Sequence, residues 1–550
     1  MSAAAIEIPD STDATIGLLR ELRRGHVRKQ AANVAYWLYL AGLVILIYGG
    51  WLVATIARAL RHPQPPVADT AALLRAAPAG LPALALLVLA AMLWDARWRG
   101  PVTVSQQTVD WLLDTPVRRE RLLRPRYRAS ALIRLLIAAV AGLVPAGLLL
   151  SVGLGGAAGH SLRLAGTAML SAALLVGFGT GAAAVSEAHP RFGSSRAAPA
   201  IVGLAALAAA VLAVLAAVSS LPAWVGSAVL WSGPWGWAAQ GLVALAGGRA
   251  PEWPVAVLLL ALAAAVVIGA GDRAAAVVPA AALRVRAATI GSMSAAVANL
   301  DVRRVGTAYR AATTGYGRVR FGLRLPLRRE LVLPWRDVVA VLRAPSRLAW
   351  AVLLSWTAVG LGAVAVHAPH SALLPLAGAL SFGYLAASNL CEGARLDADD
   401  TRRSAQLPFR YDSLVWWHAI VPCTTLAVIG GIPAAALAVV TGKPALLGIV
   451  AVAIVVLVGG ALVNAYRGPL EAESLAQGFE TPFGNSGGIM VTFWYVTGPL
   501  LAVGPLILLA NVAISAKHTT AIATPAILAV ALAAWLGSIA ARRARRLRTG

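Results

Sequence analysis

Apolar runs dominate this chain and leave it few possible folds. About a dozen stretches of its 550 residues approach the roughly 18–25 residues that cross a bilayer as a helix. They fall at about 33–57, 81–95, 130–154, 163–186, 198–220, 254–271, 348–366, 371–390, 415–440, 445–465, 489–511 and 520–541. With 59% hydrophobic and 13% charged residues and a mean hydropathy of +0.74, the chain has too little polar surface for a water-soluble fold of this size. The expected class is an all-α polytopic membrane protein of about twelve transmembrane helices.

The net charge of +24 is gathered between the runs. Arg97, Arg99, Arg118, Arg119, Arg121, Arg124, Arg126 and Arg128 crowd one interval, residues 272–347 hold fourteen arginines, and Arg542, Arg543, Arg545, Arg546 and Arg548 end the chain. Basic loops beside membrane spans stay in the cytoplasm, so both termini are expected inside and nucleic-acid binding is set aside. Only Lys29, Lys443 and Lys517 are lysines, and with the abundant Ala this bias suggests a GC-rich bacterial genome. The opening MSAAAIEIPDSTDATIG does not look like a cleavable signal peptide, and the expected location is the cytoplasmic membrane.

Two polar intervals organise the rest. Gly100–Tyr127 is basic; Val109, Leu112 and Leu113 are spaced for one helix face, and Thr115-Pro116 breaks the pattern before Val117–Leu123. Gly393–Tyr411 holds the corresponding place in the second half, with Pro408 standing where Pro116 stands, 292 residues on. It is mixed in sign. Asp397, Asp399 and Asp400 read as a solvated run that starts a helix rather than as a metal site. Glu392 reads as a headgroup-level residue at a span end. His367 and His370 lack further ligands for zinc, and Cys391 and Cys423 have neither disulfide nor zinc spacing. No metal site is expected.

The order interfacial helix, two spans, polar interval, four spans occurs twice. The expected divisions are a tail and interfacial helix at 1–32, a first six-span half at 33–271, a basic linker at 272–347, a second half at 348–541 and a basic tail at 542–550. Residues 18–31 and 328–347 are the two interfacial helices; in the second, Leu331, Trp335, Val338, Val339 and Leu342 form the apolar face. Residues 58–80 read as a Pro-containing loop, of which 75–80 could extend the short second span. Residues 221–253 hold Trp224, Trp231, Trp235 and Trp237 and read as an outer interfacial or re-entrant segment. Asn389, Asn464 and Asn511 are polar groups in or near spans that could line a pathway or hydrogen-bond between helices.

This layout resembles ABC exporter permeases of the type-two class, and LLDTPVRRERLLRPR (112–126) and AQLPFRYDSL (405–414) carry the resemblance. The second copy keeps the Leu-Pro core but lacks the paired arginines, and the second half has no long outer segment. The resemblance implies two six-helix repeats fused in one chain. It implies coupling helices that seat ATP-binding subunits, two copies in all, through Asp110, Leu112, Leu113, Asp114, Pro116, Arg118, Arg119 and Arg121, and through Arg402, Arg403, Leu407, Pro408 and Arg410. ATP and Mg would then lie on the partner, since Gly442-Lys443-Pro444 has no phosphate-loop glycines before it. The function implied is export of a hydrophobic or amphipathic solute (drug, lipid or peptide-like). The alternatives are a structural or regulatory membrane subunit, and a lipid-linked transferase, for which acid–base groups at a membrane face are scarce.

Overall fold

The computed structural model describes residues 13, 17–18, 21, 70–113, 115, 117–151, 153–154, 158–189, 197–219, 221–298, 324–367, 369, 372–402, 409–468, 480–481, 484–485, 487–515 and 519–549. Nearly all of these are helical. Ten of the described helical stretches are long and apolar enough to cross a bilayer, so the protein is a multi-pass α-helical membrane protein. The first expected span, 33–57, and the interfacial helix 18–31 lie largely or wholly outside the described residues. A two-residue strand pair, Glu480–Thr481 against Gly484–Asn485, is the departure from helix among them.

The chain divides into two compact units. The first is Met1–Thr70, Ala77–Ala206 and Pro222–Ala295; the second is Ala71–Ala76, Leu207–Leu221 and Ala296–Gly550.

The first unit contains α1 (Thr70–Trp98, apart from Ala71–Ala76), α2 (Gln106–Leu112), α3 (Arg119–Ala141), α4 (Leu143–Ser151) and α5 (Ala158–Ala188). The helix α6 (Ala197–Val218) begins in it and ends in the second unit. It continues with α7 (Ala223–Trp231), α8 (Pro234–Leu245), α9 (Trp253–Ala275) and α10 (Ala280–Ala298). Two boundaries differ from expectation. The loop expected up to residue 80 is already helix from Thr70, with Pro78 and Pro82 inside it, as spans tolerate when neighbours satisfy the freed carbonyls. The linker expected from residue 272 opens instead with α10.

Small residues set the main seam of this unit, as they do where lipid offers no hydrophobic drive between helices. A Cβ on Gly181 of α5 would lie 2.3 Å from the Val267 carbonyl oxygen of α9, and one on Gly177 would lie 3.0 Å from Ile268 Cδ1. Gly271 continues the seam, and Tyr127 of α3 donates to the Ile268 carbonyl at 3.3 Å.

The second unit contains α11 (Val332–Leu342), α12 (Pro345–His367), α13 (Leu373–Leu390), α14 (Glu392–Asp399), α15 (Leu414–Thr441), α16 (Ala445–Ala465), α17 (Gly487–Ser515) and α18 (Thr519–Thr549). The nearly all-apolar α16 packs against α13, α15, α17 and α18 and forms the centre of the core. Gly442 ends α15 in the left-handed conformation (φ 64°), and Lys443 Nζ donates to the Val366 carbonyl at 3.1 Å, capping the last turn of α12.

Of the apolar face expected on 328–347, Val339 is buried and Trp335, Val338 and Leu342 are half-buried. The inward residues of α11 are Leu333, Asp337 and Val339, and Leu331 is exposed. An aspartate takes an inward position because a charged partner waits there.

Candidate functional site

The first polar interval is an exposed, basic ledge on a buried footing. Gly100 (φ 70°) turns the chain out of α1, and a Cβ there would collide with the Glu187 carboxyl. The short α2 follows, with Ser105 and Thr108 hydroxyls 2.8 Å apart at its start. Val109 and Leu113 point inward onto Leu123 and Tyr127 of α3 and onto Val278, Leu283 and Ala287 at α10. Leu112 is half-buried. The opposite side carries Asp110, Trp111, Arg118, Arg119 and Arg121, all exposed, with Trp111 at 77%. Thr115 donates to the Leu112 carbonyl at 2.7 Å and closes the turn, and Arg121 is paired with Asp13. Asp114 and Pro116 lie outside the described residues. The expected restart at Val117 begins at Arg119 and runs on into the span.

Under this ledge lies an ion pair that sequence reading missed. Arg286 of α10 meets Glu187, at the end of α5, at 3.2 Å, and both are buried. Arg128 grips Asp272 through two bonds of 2.8 and 2.9 Å, and Arg134 reaches Asp95 at 3.4 Å.

The second polar interval is built differently. Glu392 follows α13 directly across Cys391; it is buried and paired with Arg347 (3.3 Å) and Arg395 (3.6 Å), so it does not sit free in the headgroups. Asp397 is likewise not solvated: its side chain is 1% exposed. It ion-pairs with Arg336 of α11 and lies 3.1 Å from His418 Nε2, while Asp337 of α11 lies 2.5 Å from His418 Nδ1. Donation from both ring nitrogens requires the imidazolium. Tyr411 Oη donates to the Asp397 carbonyl at 2.8 Å.

The acidic run also ends α14 rather than starting it. A carboxylate in the last turn opposes the helix dipole, and the two cations around Asp397 offset that. Asp399 is half-buried; Asp400 is exposed and accepts the Arg402 backbone N–H at 3.1 Å. Gly393 is where α14 meets Asp337, because a Cβ there would lie 2.1 Å from Asp337 Oδ1. That oxygen and Tyr466 Oη find no hydrogen-bond partner among the described residues. Burial, with Asp397, Tyr411 and Asp337 nearby, holds the Tyr466 phenol well above its ordinary range. Burial also pushes the Cys391 thiol up to about 12.

The remaining expected residues are dispersed. Arg402 and Arg410 are exposed; Arg403, Leu407 and Pro408 lie outside the described residues. Trp224 is exposed at the start of α7, and Trp231 at its end is exposed too. Gly233 joins α7 to α8, where Trp235 and Trp237 pack on Leu89, Leu175 and Leu260. Gly236 permits the close approach of this hairpin, since a Cβ would lie 2.4 Å from the Leu230 carbonyl. Asn389 donates back to Leu385, whereas Asn464 accepts from Arg467 at 3.0 Å. Arg467 stacks on Trp494 and Tyr495, 4.4 and 4.0 Å from the ring centroids. Asn511 is half-buried.

Among the described residues, no three His, Cys, Asp or Glu side chains are placed to share a metal ion. The Asp337–His418–Asp397 group is sealed from solvent and ties three elements together: α11, α14 and the start of α15. The α2 ledge is open and has apolar, cationic and carboxylate groups side by side, which suits protein docking.

No curated protein matches the chain. The sequence pattern of DUF6297, a family of unknown function, matches residues 74–472, from within α1 to just past Tyr466, and takes in both polar intervals and the buried group. The chain belongs to the DUF6297 family.

Proposed function

We propose that the chain is the membrane subunit of an ATP-driven exporter, carrying a hydrophobic or amphipathic solute across the cytoplasmic membrane. Separate nucleotide-binding subunits would seat on its two polar intervals. The observation that carries the reading is the α2 ledge: an indole 77% exposed among Arg118, Arg119 and Arg121, on a helix whose other face is fixed in the core. Exposed Trp and Arg side chains in one short interval are the composition of an interface anchor, and a rigid footing would let a push on it reach the spans rather than bend a loop. The pairing of Glu187 with Arg286 beneath it, and of Asp397 with Arg336 at the second interval, would serve the same end.

The test is purification of the tagged full chain from its native membranes in mild detergent, with the co-purified proteins identified by mass spectrometry. An ATP-binding-cassette ATPase is expected with the wild-type chain and is expected to be lost with Trp111→Ala combined with Arg119→Gln. A pure, monodisperse chain with no ATPase under conditions that preserve other transporters would overturn the proposal and leave a structural subunit as the better description.

A further inference from the structure

In the second unit a cavity of about 520 Å³ opens between the start of α15 and the basic end of α18. Its walls are Arg410, Asp412, Ser413 and Trp416 from the start of α15, and Ser538, Arg542 and Arg545 from the end of α18. Three guanidinium groups face one carboxylate. Asp412 lies 3.4 Å from Arg410 and 3.7 Å from Arg545, and leaves Arg542 without a carboxylate among the described residues. The cavity therefore keeps an excess of two positive charges, beside two hydroxyls.

The apolar side of the cavity points to the source of the anion. Trp416 is 51% exposed, and its ring is held by Gly537, where a Cβ would fall 2.3 Å from the indole. One turn further into the span, Ile420 is exposed on the same face of α15; on α18, Trp535 lies exposed one turn from Ser538. Cationic groups above and exposed apolar side chains below match a phospholipid, whose phosphate would meet the arginines while its acyl chains follow the helix faces. Phosphodiester and guanidinium also pair bidentately, which a zwitterionic headgroup with its own cation competes against.

We propose that this cavity binds the phosphate headgroup of one anionic phospholipid of the cytoplasmic leaflet. The inference does not depend on the transport reading, and the experiment needs no ATPase. The full chain in detergent is titrated with phosphatidylglycerol, phosphatidylcholine or inorganic phosphate and followed by native mass spectrometry. One retained phosphatidylglycerol is expected, with phosphatidylcholine held at least about tenfold more weakly and inorganic phosphate unable to displace the lipid. Arg542→Gln with Arg545→Gln is expected to weaken phosphatidylglycerol about tenfold or more, given the attraction of basic side chains near an anionic surface. Arg249→Gln, an exposed arginine outside the cavity, is expected to change nothing. Trp416→Ala is an independent variant, expected to weaken the lipid through loss of the apolar wall. Wild-type retention of phosphatidylglycerol in both the arginine pair and Trp416→Ala would overturn the proposal. So would equal binding of phosphatidylcholine, or displacement by inorganic phosphate at lipid-like concentrations, which would mark a site for free anions.

Discussion

Substitution of His418 by alanine probes the buried group most directly. His418 and Asp397 side chains are 1% exposed and Asp337 7%, while Arg336 keeps 30%. Wild-type charges sum to zero across the two aspartates, the imidazolium and Arg336. Removing His418 leaves two carboxylates with one cation, in a place water does not reach. Breaking a buried pair in this way costs about 3–5 kcal/mol. For a unit of this size a kcal/mol moves the melting temperature by about 2–4 °C, so His418→Ala is expected to melt roughly 6–20 °C below wild type. Asp337→Asn keeps a neutral acceptor for Nδ1 and is expected to cost less, about 1–3 kcal/mol. Replacing the whole group, as His418→Leu with Asp337→Asn and Asp397→Asn, removes the buried charges together and is expected to recover most of the loss, since Arg336 can turn to solvent. The assay is scanning fluorimetry of the purified chain in one detergent at one scan rate, because unfolding of such proteins is governed by rate. An His418→Ala protein that melts within about 2 °C of wild type would refute the description of this group as a charge-paired lock.

Trp111→Ala, by contrast, removes an exposed ring; melting is expected to stay within the ±0.5 kcal/mol typical of surface changes, while affinity for a docked subunit falls by about 2 kcal/mol or more in a pull-down titration. Gly181→Leu forces side-chain atoms into the Val267 carbonyl of α9 and is expected to cost about 1–3 kcal/mol or more, read as lower melting and reduced monodisperse yield. Cys391, buried and with its thiol held near 12, is expected to resist maleimide up to about pH 9 in a Cys423→Ala background; labelling requires thiolate, which rises only as pH approaches the shifted value. Rapid labelling of the native protein at pH 7 would contradict its burial.

Ten of the twelve expected spans were legible because each is a long apolar run, and hydrocarbon thickness alone sets the length required; the expected span 371–390 forms α13, which is not among those ten. Helix ends were less so. Pro63, Pro65 and Pro66 signal a loop just before Thr70, yet Pro78 sits within α1, where packed neighbours outweigh local propensity. The basic, exposed character of Arg118, Arg119 and Arg121 was also readable, because charge beside a span has few places to go. The buried acids were not. Asp397 stands in an Asp-rich segment that looks solvated, and only the fold brings Arg336 and His418, 61 and 21 residues away, to its carboxylate. One signal was present: Asp337 interrupts the apolar side of α11, and His418 is an ionisable residue four positions inside a span. Such a residue needs a partner of opposite charge, and the two together were the clue.

The two units arrive at a similar arrangement from unlike sequences. In the first, Arg286 of α10 pairs with Glu187 at the foot of Gly100; in the second, Arg336 of α11 pairs with Asp397 within the polar interval itself. Each arginine stands on a helix outside the spans, and each acid on an element continuous with a span or one residue from it. A buried ion pair is a poor choice for stability alone, since apolar residues of equal volume do as well or better. What it supplies is a single register. An apolar contact between an amphipathic helix and a span end can slide by a turn at small cost, whereas a desolvated guanidinium–carboxylate pair loses its partner on sliding and leaves charge buried. A polar interval that must present fixed side chains to another protein has use for that intolerance. The two units differ in detail: the first leaves Trp111 exposed above the Arg286–Glu187 pair, while the second draws Asp337, Asp397, Arg336 and His418 into one group that holds α11, α14 and α15 together.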